Sequence, residues 1–193
     1  MVLEYSTSAL WTPLQERVLI YLYQRGDDVA LEYNKGEDAQ PVVTGYSDSD
    51  FDDAHSTTGY TFKMAAGAIS WLSQKQKTVA LHTTEAEINA MSHAACEAMF
   101  ITYIMEELGH KQTKPITIKA DNTAAIAIAN DPMHHKRTKH IRRRQLFVRE
   151  AVADGNITLQ YVRTNNNVAD VFTKALPRKP FQQYRMELGL REP

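Results

Sequence analysis

Three short β-like runs in the first third of the chain are followed by one long helical run, and that order restricts the fold more than any other feature. Residues 42–46 (VVTGY), 60–64 and 69–72 are rich in branched and aromatic side chains. Gly- and Asp-rich turns separate them, which favours antiparallel neighbours. Residues 79–81 extend this edge. A helix then runs from about Glu85 to Leu108 and is closed by Gly109. Residues 116–120 (ITIKA) form a fourth strand, with a short helix near 123–129. A basic helix spans 138–153, a fifth strand 157–162, and helices around 168–175 and 181–188 complete the pattern. Strands first and helix–strand alternation afterwards imply an α/β fold, a mixed sheet with helices on both faces.

Ahead of this pattern, residues 11–24 (WTPLQERVLIYLYQ) have helical apolar spacing, with Pro13 in the first turn. A short strand-like run over 29–33 and a polar turn over 34–40 follow. Residues 1–40 therefore read as a lead-in helix and strand, and residues 41–193 as the main domain. The 193 residues are 43% hydrophobic and 23% charged, and one cysteine, Cys96, excludes an internal disulfide. The start, MVLEYSTSALW, has no basic stretch ahead of an apolar core, and no apolar run reaches the roughly 18 residues a membrane helix needs. The expectation is a soluble intracellular protein with no membrane partner. Net charge is −1, so any pull on nucleic acid must be local, and residues 134–144 (HHKRTKHIRRR) are strongly basic.

Four acids hold chemical interest. Asp48 follows the first strand and Asp121 the fourth; parallel strands would put both at the carboxyl edge, where open α/β sheets bind ligands. Turn or cap roles are the ordinary alternative. On the long helix, Met91, Ala94, Ala98, Ile101 and Met105 fall within about 40° of Glu87 at roughly 100° per residue. Glu87 therefore lies on the core-facing stripe, whereas Glu85 falls about 160° away beside Asn89, Ser92 and Cys96, on the face expected to be solvated. A charge on an apolar stripe is costly unless it is paired or binds metal. A capping box, Thr84-Glu85-Ala86-Glu87, is the alternative role for Glu87. Asp170 lies early in the helix after the fifth strand, where acids also complement the helix dipole. Two acids at strand ends and two at helix starts, with no cation between them, form a set suited to hard divalent cations.

Other residues carry less. His134, His135 and His140 lack a second ligand pair for zinc. Cys96 has no activating base nearby in sequence. Trp71 and Tyr60 sit at strand positions and read as core. The basic segment would contact phosphates, or else form a solvated face with its arginines paired to Glu150 and Asp154.

Gly45-Tyr46-Ser47-Asp48-Ser49-Asp50, Ser56-Thr57-Thr58-Gly59-Tyr60, Ala68-Ile69-Ser70-Trp71 and Thr83-Thr84-Glu85-Ala86-Glu87 resemble the ribonuclease H domain of copia-type retrotransposon reverse transcriptases. So do Ala120-Asp121-Asn122, Arg137-Thr138-Lys139-His140-Ile141 and Ala169-Asp170-Val171-Phe172-Thr173-Lys174, in family order. The resemblance implies an RNase H-like fold with a five-stranded mixed sheet in the order 3-2-1-4-5. It implies hydrolysis of the RNA strand of RNA–DNA hybrids, leaving a 5′-phosphate and a 3′-hydroxyl. It implies that Asp48, Glu87, Asp121 and Asp170 hold two Mg²⁺ ions, for which Mn²⁺ can substitute. The polymerase domain would be a partner in cis, joined through residues 1–40. Ser49 and Asn122, beside two of the acids, are candidates to sense the RNA 2′-hydroxyl, although capping or turn roles fit them equally. Lys136, Arg137, Lys139, Arg142, Arg143 and Arg144 are candidate contacts to the hybrid. Retroviral and cellular relatives usually carry a histidine on the loop after the fifth strand. Residues 162–167 contain none, so proton handling and product release have no assigned residue.

Overall fold

The computed structural model describes residues 30–33, 42–52, 54–130 and 139–191, with the backbone alone at 139–142. The expected helix over 11–24, and Lys136 and Arg137, lie outside the described residues, as do the side chains of Lys139 and Arg142.

Five strands build the main sheet: β2 (Thr44–Asp50), β3 (Thr57–Met64), β4 (Gly67–Lys75), β5 (Ile116–Ala120) and β6 (Ile157–Tyr161). Their order is β4-β3-β2-β5-β6, which is 3-2-1-4-5 when only the sheet's own strands are counted. β2, β3 and β4 are antiparallel neighbours, and β2–β5 and β5–β6 are parallel. The first strand among the described residues, β1 (Ala30–Leu31), lies apart and pairs with β7 (Leu190–Arg191). Tyr33 donates to the Ala68 carbonyl at 2.7 Å, tying this small ladder to the start of β4.

On one face of the sheet lie α1 (Thr83–Glu107), α2 (Thr123–Asn130) and α3 (Lys139–Ala153). Phe62, Met91, Ile116, Ile118, Val148 and Ile157 are fully buried in the core between them. The other face carries a 3₁₀ turn over Val168–Phe172 and α4 (Arg178–Glu187), whose Val168, Phe172, Tyr184 and neighbouring Leu188 pack on Ala68 and Tyr46. β3 lies between these layers, so residues on both of its faces are buried. Among the described residues, no helix is long and apolar enough to cross a membrane.

The structure corrects several sequence expectations. Residues 79–81 form no strand, and Val79 and Leu81 are exposed. The β3–β4 turn rests on Ala65 and Ala66, both at positive φ, rather than on glycine. Trp71 is not core: it lies 51% exposed on β4, an edge strand. Asn89 and Ser92 do not face solvent. Both are buried: Gln76 folds under α1, accepts from Asn89 Nδ2 at 2.9 Å and donates to the Ala86 carbonyl at 3.0 Å, and Ser92 Oγ donates to the Asn89 carbonyl at 2.8 Å.

Candidate functional site

The parallel pairing of β2 with β5 brings Asp48, near the end of β2, and Asp121, just beyond β5, to one edge of the sheet. The N-terminal part of α1 lies over that edge. Asp48, Glu87 and Asp121 each offer a carboxylate oxygen, all within 4.8 Å of one another. Glu87 reaches this point because the rest of its stripe, Met91, Ala94, Ala98, Ile101 and Met105, is buried against the sheet. The capping role falls to the other glutamate. α1 begins at Thr83, and Glu85 Oε2 accepts the Leu81 amide at 2.7 Å, so Glu87 is not needed to cap the helix.

Asp170 arrives from the opposite layer, on the 3₁₀ turn. Two devices hold that turn against β2. Asn167, fully buried, donates from Nδ2 to the Ser47 carbonyl at 3.0 Å and accepts the Ala169 amide at 3.3 Å. Gly59, directly across the ladder from Asp48, leaves room for the turn: a Cβ there would lie 2.5 Å from the Thr173 methyl and 3.1 Å from the Ala169 carbonyl. Thr173 donates its hydroxyl to Asp48 Oδ2. Asn167 reads in sequence as one of three loop asparagines. Only its place directly before the largely apolar residues 168–172 (VADVF) sets it apart from its two neighbours in the sequence.

The acids do have a cation among them, contrary to expectation. Lys174 Nζ lies 3.2 Å from Asp170 Oδ1 and 3.7 Å from Asp48 Oδ2. Its i,i+4 position relative to Asp170 carries it round the turn to the same edge.

Burial dominates the electrostatics. Asp48, Glu87 and Asp170 are only 1%, 6% and 5% exposed. Desolvation pushes Asp48 above the ordinary carboxylate range, opposed by Lys174 and the Thr173 hydroxyl. Glu87 is pushed well above that range by burial, then by Asp48 and Asp121; Ser49 beside it favours its charged form. Asp170 is raised to about 7 by burial and by Asp48, with Lys174 opposing. Burial disfavours the charge on Lys174, but Asp48 and Asp170 outweigh it and raise its pKa. Glu87 Oε2 is buried with no hydrogen-bond partner among the described residues. An all-oxygen donor set with an unpartnered buried carboxylate oxygen fits a hard divalent cation.

The expected substrate contacts divide. Ser49 is buried beside Glu87. Asn122 caps α2, its Oδ1 accepting the Ala125 amide at 2.9 Å, so its amide NH₂ alone is left to meet a ligand. Arg143 is exposed, and Arg144 donates to Thr78 Oγ1 at 3.4 Å. Among the described residues neither arginine pairs with an acid, so the expected links to Glu150 and Asp154 are not formed by them. Arg144 instead lines a recess with Lys75, Lys77, His93 and Thr58. Thr58 pairs with Ser49 across the ladder, so this basic recess lies beside the acid cluster. Lys75 and Lys77 went unnoticed in the sequence because they lie far along the chain from the basic run.

No family model matches the chain. It is 38% identical over 156 residues, 79% of its length, to the retrovirus-related Pol polyprotein from transposon TNT 1-94 of Nicotiana tabacum. It is 34% identical over 184 residues, 93% of its length, to that from transposon RE2 of Arabidopsis thaliana. The chain spans 12% of the length of each of these relatives. LC11-RNase H1, isolated from compost, has the same fold, with a TM-score of 0.53 at 11% identity over 68% of this chain and 92% of that one. The same enzyme, solved in complex with an RNA/DNA hybrid, superposes with a TM-score of 0.51 at 9% identity over 68% of this chain and 93% of that one. The chain is thus a homologue, over most of its length, of the Pol polyproteins of copia-type retrotransposons, and its fold is that of a ribonuclease H domain.

Proposed function

We propose that this chain is an endoribonuclease that hydrolyses the RNA strand of RNA–DNA hybrids with two divalent metal ions, in the reverse transcription of a retrotransposon. One observation carries the reading: three buried or half-buried carboxylates converge within 4.8 Å, and Glu87 Oε2 among them has no hydrogen-bond partner among the described residues. In this reading Asp48, Glu87, Asp121 and Asp170 hold the ions. Mg²⁺ is the expected metal and Mn²⁺ a substitute, since both accept oxygen ligands. Bound ions supply an activated water and stabilise the departing 3′-oxygen of the RNA. The protein's own part is positional. Thr173 orients Asp48, Asn167 fixes the turn that carries Asp170, and the amide of Asn122 is available to a 2′-hydroxyl at the same edge. Arg143, Arg144, Lys75 and Lys77 attract the hybrid's phosphates, together with Lys136, Arg137, Lys139 and Arg142 of the basic run. The polymerase domain of the polyprotein is the partner in cis, and a cytoplasmic virus-like particle is the setting, with the nucleus as the alternative.

A second reading has a specific observation in its favour. A catalytically silent scaffold, or a module that only binds the hybrid, would also keep Lys174 ion-paired to Asp48 and Asp170. The retention of four acids at one edge, in the order Asp, Glu, Asp, Asp, favours the nuclease. A strand-transfer enzyme of the integrase type would carry its glutamate last. The deciding experiment incubates end-labelled RNA–DNA hybrid, RNA duplex and DNA duplex with the protein in Mg²⁺, Mn²⁺ or EDTA. Metal-dependent cleavage of RNA in the hybrid alone is expected. An intact hybrid in both metals supports the silent scaffold.

A further inference from the structure

The two sides of the acid cluster are not equivalent. Asp48, Glu87 and Asp121 converge, and among the described residues no cation is ion-paired with Glu87 or Asp121 and Glu87 Oε2 has no hydrogen-bond partner. On the other side Lys174 bridges Asp48 and Asp170 at 3.7 and 3.2 Å. Four carboxylates and one ammonium meet there; the ammonium is ion-paired with Asp48 and Asp170, while Asp121 attracts it more weakly.

We propose that Lys174 is the built-in cation of the metal-free site. It closes the Asp48–Asp170 side, so that a first ion enters among Asp48, Glu87 and Asp121 and a second reaches Asp170 only by displacing the lysine. This rests on the metal-site reading above and deepens it.

The chemistry of the residue suits the role. Two carboxylates this deeply buried repel one another and need a counter-charge in the metal-free protein. A lysine provides one as a compact point charge on a flexible four-carbon stem, where an arginine fork would lock the pair bidentately. The Lys174 side chain is 33% exposed while those of Asp48 and Asp170 are 2% and 7% exposed, so it reaches in from the rim and has solvent to withdraw into. Thr173, one residue earlier, stays bonded to Asp48, so withdrawal of the lysine leaves that carboxylate oriented. The displaced ammonium remains at the mouth of the site, beside incoming phosphate.

The test is a calorimetric titration of Mn²⁺ into the full chain without nucleic acid, for wild type, Lys174→Gln, Lys174→Arg and Asp48→Asn, with metal-free melting temperatures alongside. Wild type should bind one ion well and a second weakly. In Lys174→Gln the second ion should bind roughly two- to fivefold more tightly, the scale of one partly screened charge pair removed. Its metal-free melting temperature should fall, as a purely structural lysine would also predict, so the tightened second site is the deciding readout. Lys174→Arg, which keeps the charge, should bind the second ion no better than wild type. An unchanged second affinity in Lys174→Gln, with the first site still abolished by Asp48→Asn, overturns the role given to Lys174 and leaves the metal site standing. Full Mn²⁺ binding by Asp48→Asn overturns the metal-site reading itself, and this inference with it.

Discussion

Gly59 and Thr173 are in contact across two layers of the protein: a Cβ on Gly59 would lie 2.5 Å from the Thr173 methyl. Gly59 is also the ladder partner of Asp48. The missing side chain therefore lets the turn bearing Asp170, Thr173 and Lys174 settle directly over Asp48. Gly59→Ala would press on Thr173, on Phe172 Cβ at 3.0 Å and on the Ala169 carbonyl at 3.1 Å, and two of these cannot swing aside. We expect a loss of about 1–3 kcal/mol in urea unfolding, the usual scale for overpacking. Hybrid cleavage should fall further than stability explains. Wild-type cleavage by Gly59→Ala would mean that the turn's position does not matter to the site.

The two glutamates at the start of α1 have separate tasks. Glu87→Gln should reduce cleavage by at least the roughly 10–100-fold that even an indirect change at a metal site costs. Glu85→Gln keeps an oxygen that can accept the Leu81 amide, so it should cleave nearly as wild type and melt slightly lower at most. Steady-state cleavage rates of the two variants decide, and a reversal of their order would reverse the assignment.

Asp170 makes the metal-free protein sensitive to pH. Its carboxyl titrates near 7 when folded, against an ordinary value of 3.8, so between these limits the folded state holds the proton more tightly than the unfolded chain. Its contribution to stability is fully present below about pH 4 and is lost as pH rises to about 7. The stability of wild type relative to Asp170→Asn, measured in EDTA, should therefore decline over that window and level off above it. Added Mg²⁺ should stabilise wild type increasingly over the same window, because it binds the ionised form. A difference between the two proteins that does not vary with pH would contradict the raised carboxyl.

Arg143 and Arg144 should act on the hybrid through its phosphates. In an Asp48→Asn background, replacing both with serine should weaken hybrid binding at low salt and lower the salt slope by about one per lost contact. Lys75→Ser and Lys77→Ser should behave alike if the recess they share with Arg144 holds a phosphate. Binding isotherms at several salt concentrations, beside melting temperatures, give the answer. An unchanged slope with a lowered melting temperature would make these residues structural.

Much of the site was legible in the sequence because it depends on local periodicity. The face of α1 that carries Glu87 follows from spacing alone, and β5 matches residues 116–120 because Ile116, Ile118 and Ala120 alternate with Thr117 and Lys119, the period of a strand. What escaped depends on partners remote in the chain. Asn89 and Ser92 look solvated on a helical projection, yet both are buried, and Asn89 meets Gln76, which arrives from 13 positions earlier in the chain. Trp71 looks like core, and only the place of β4 at the sheet's edge exposes it. Lys174 stands out in the sequence only as the last residue of the 169–174 motif, and the 3₁₀ turn over Val168–Phe172 brings it to Asp48 across 126 positions of sequence. β1 falls within the strand-like run over 29–33, whereas its partner β7, two residues at the other end of the described chain, is too short to leave a pattern.

The central claim is that the converging carboxylates hold the metal ions that cut RNA. Its most direct test is the cleavage of labelled RNA–DNA hybrid in Mg²⁺ by Asp48→Asn and Asp121→Asn, each compared with wild type. Asparagine keeps the shape of the side chain and removes the charge that binds the cation. Cleavage should drop to background in both, while the metal-free melting temperature of Asp48→Asn stays level or rises as repulsion with Asp170 and Glu87 is relieved. Cleavage near the wild-type rate by either folded variant would contradict the claim.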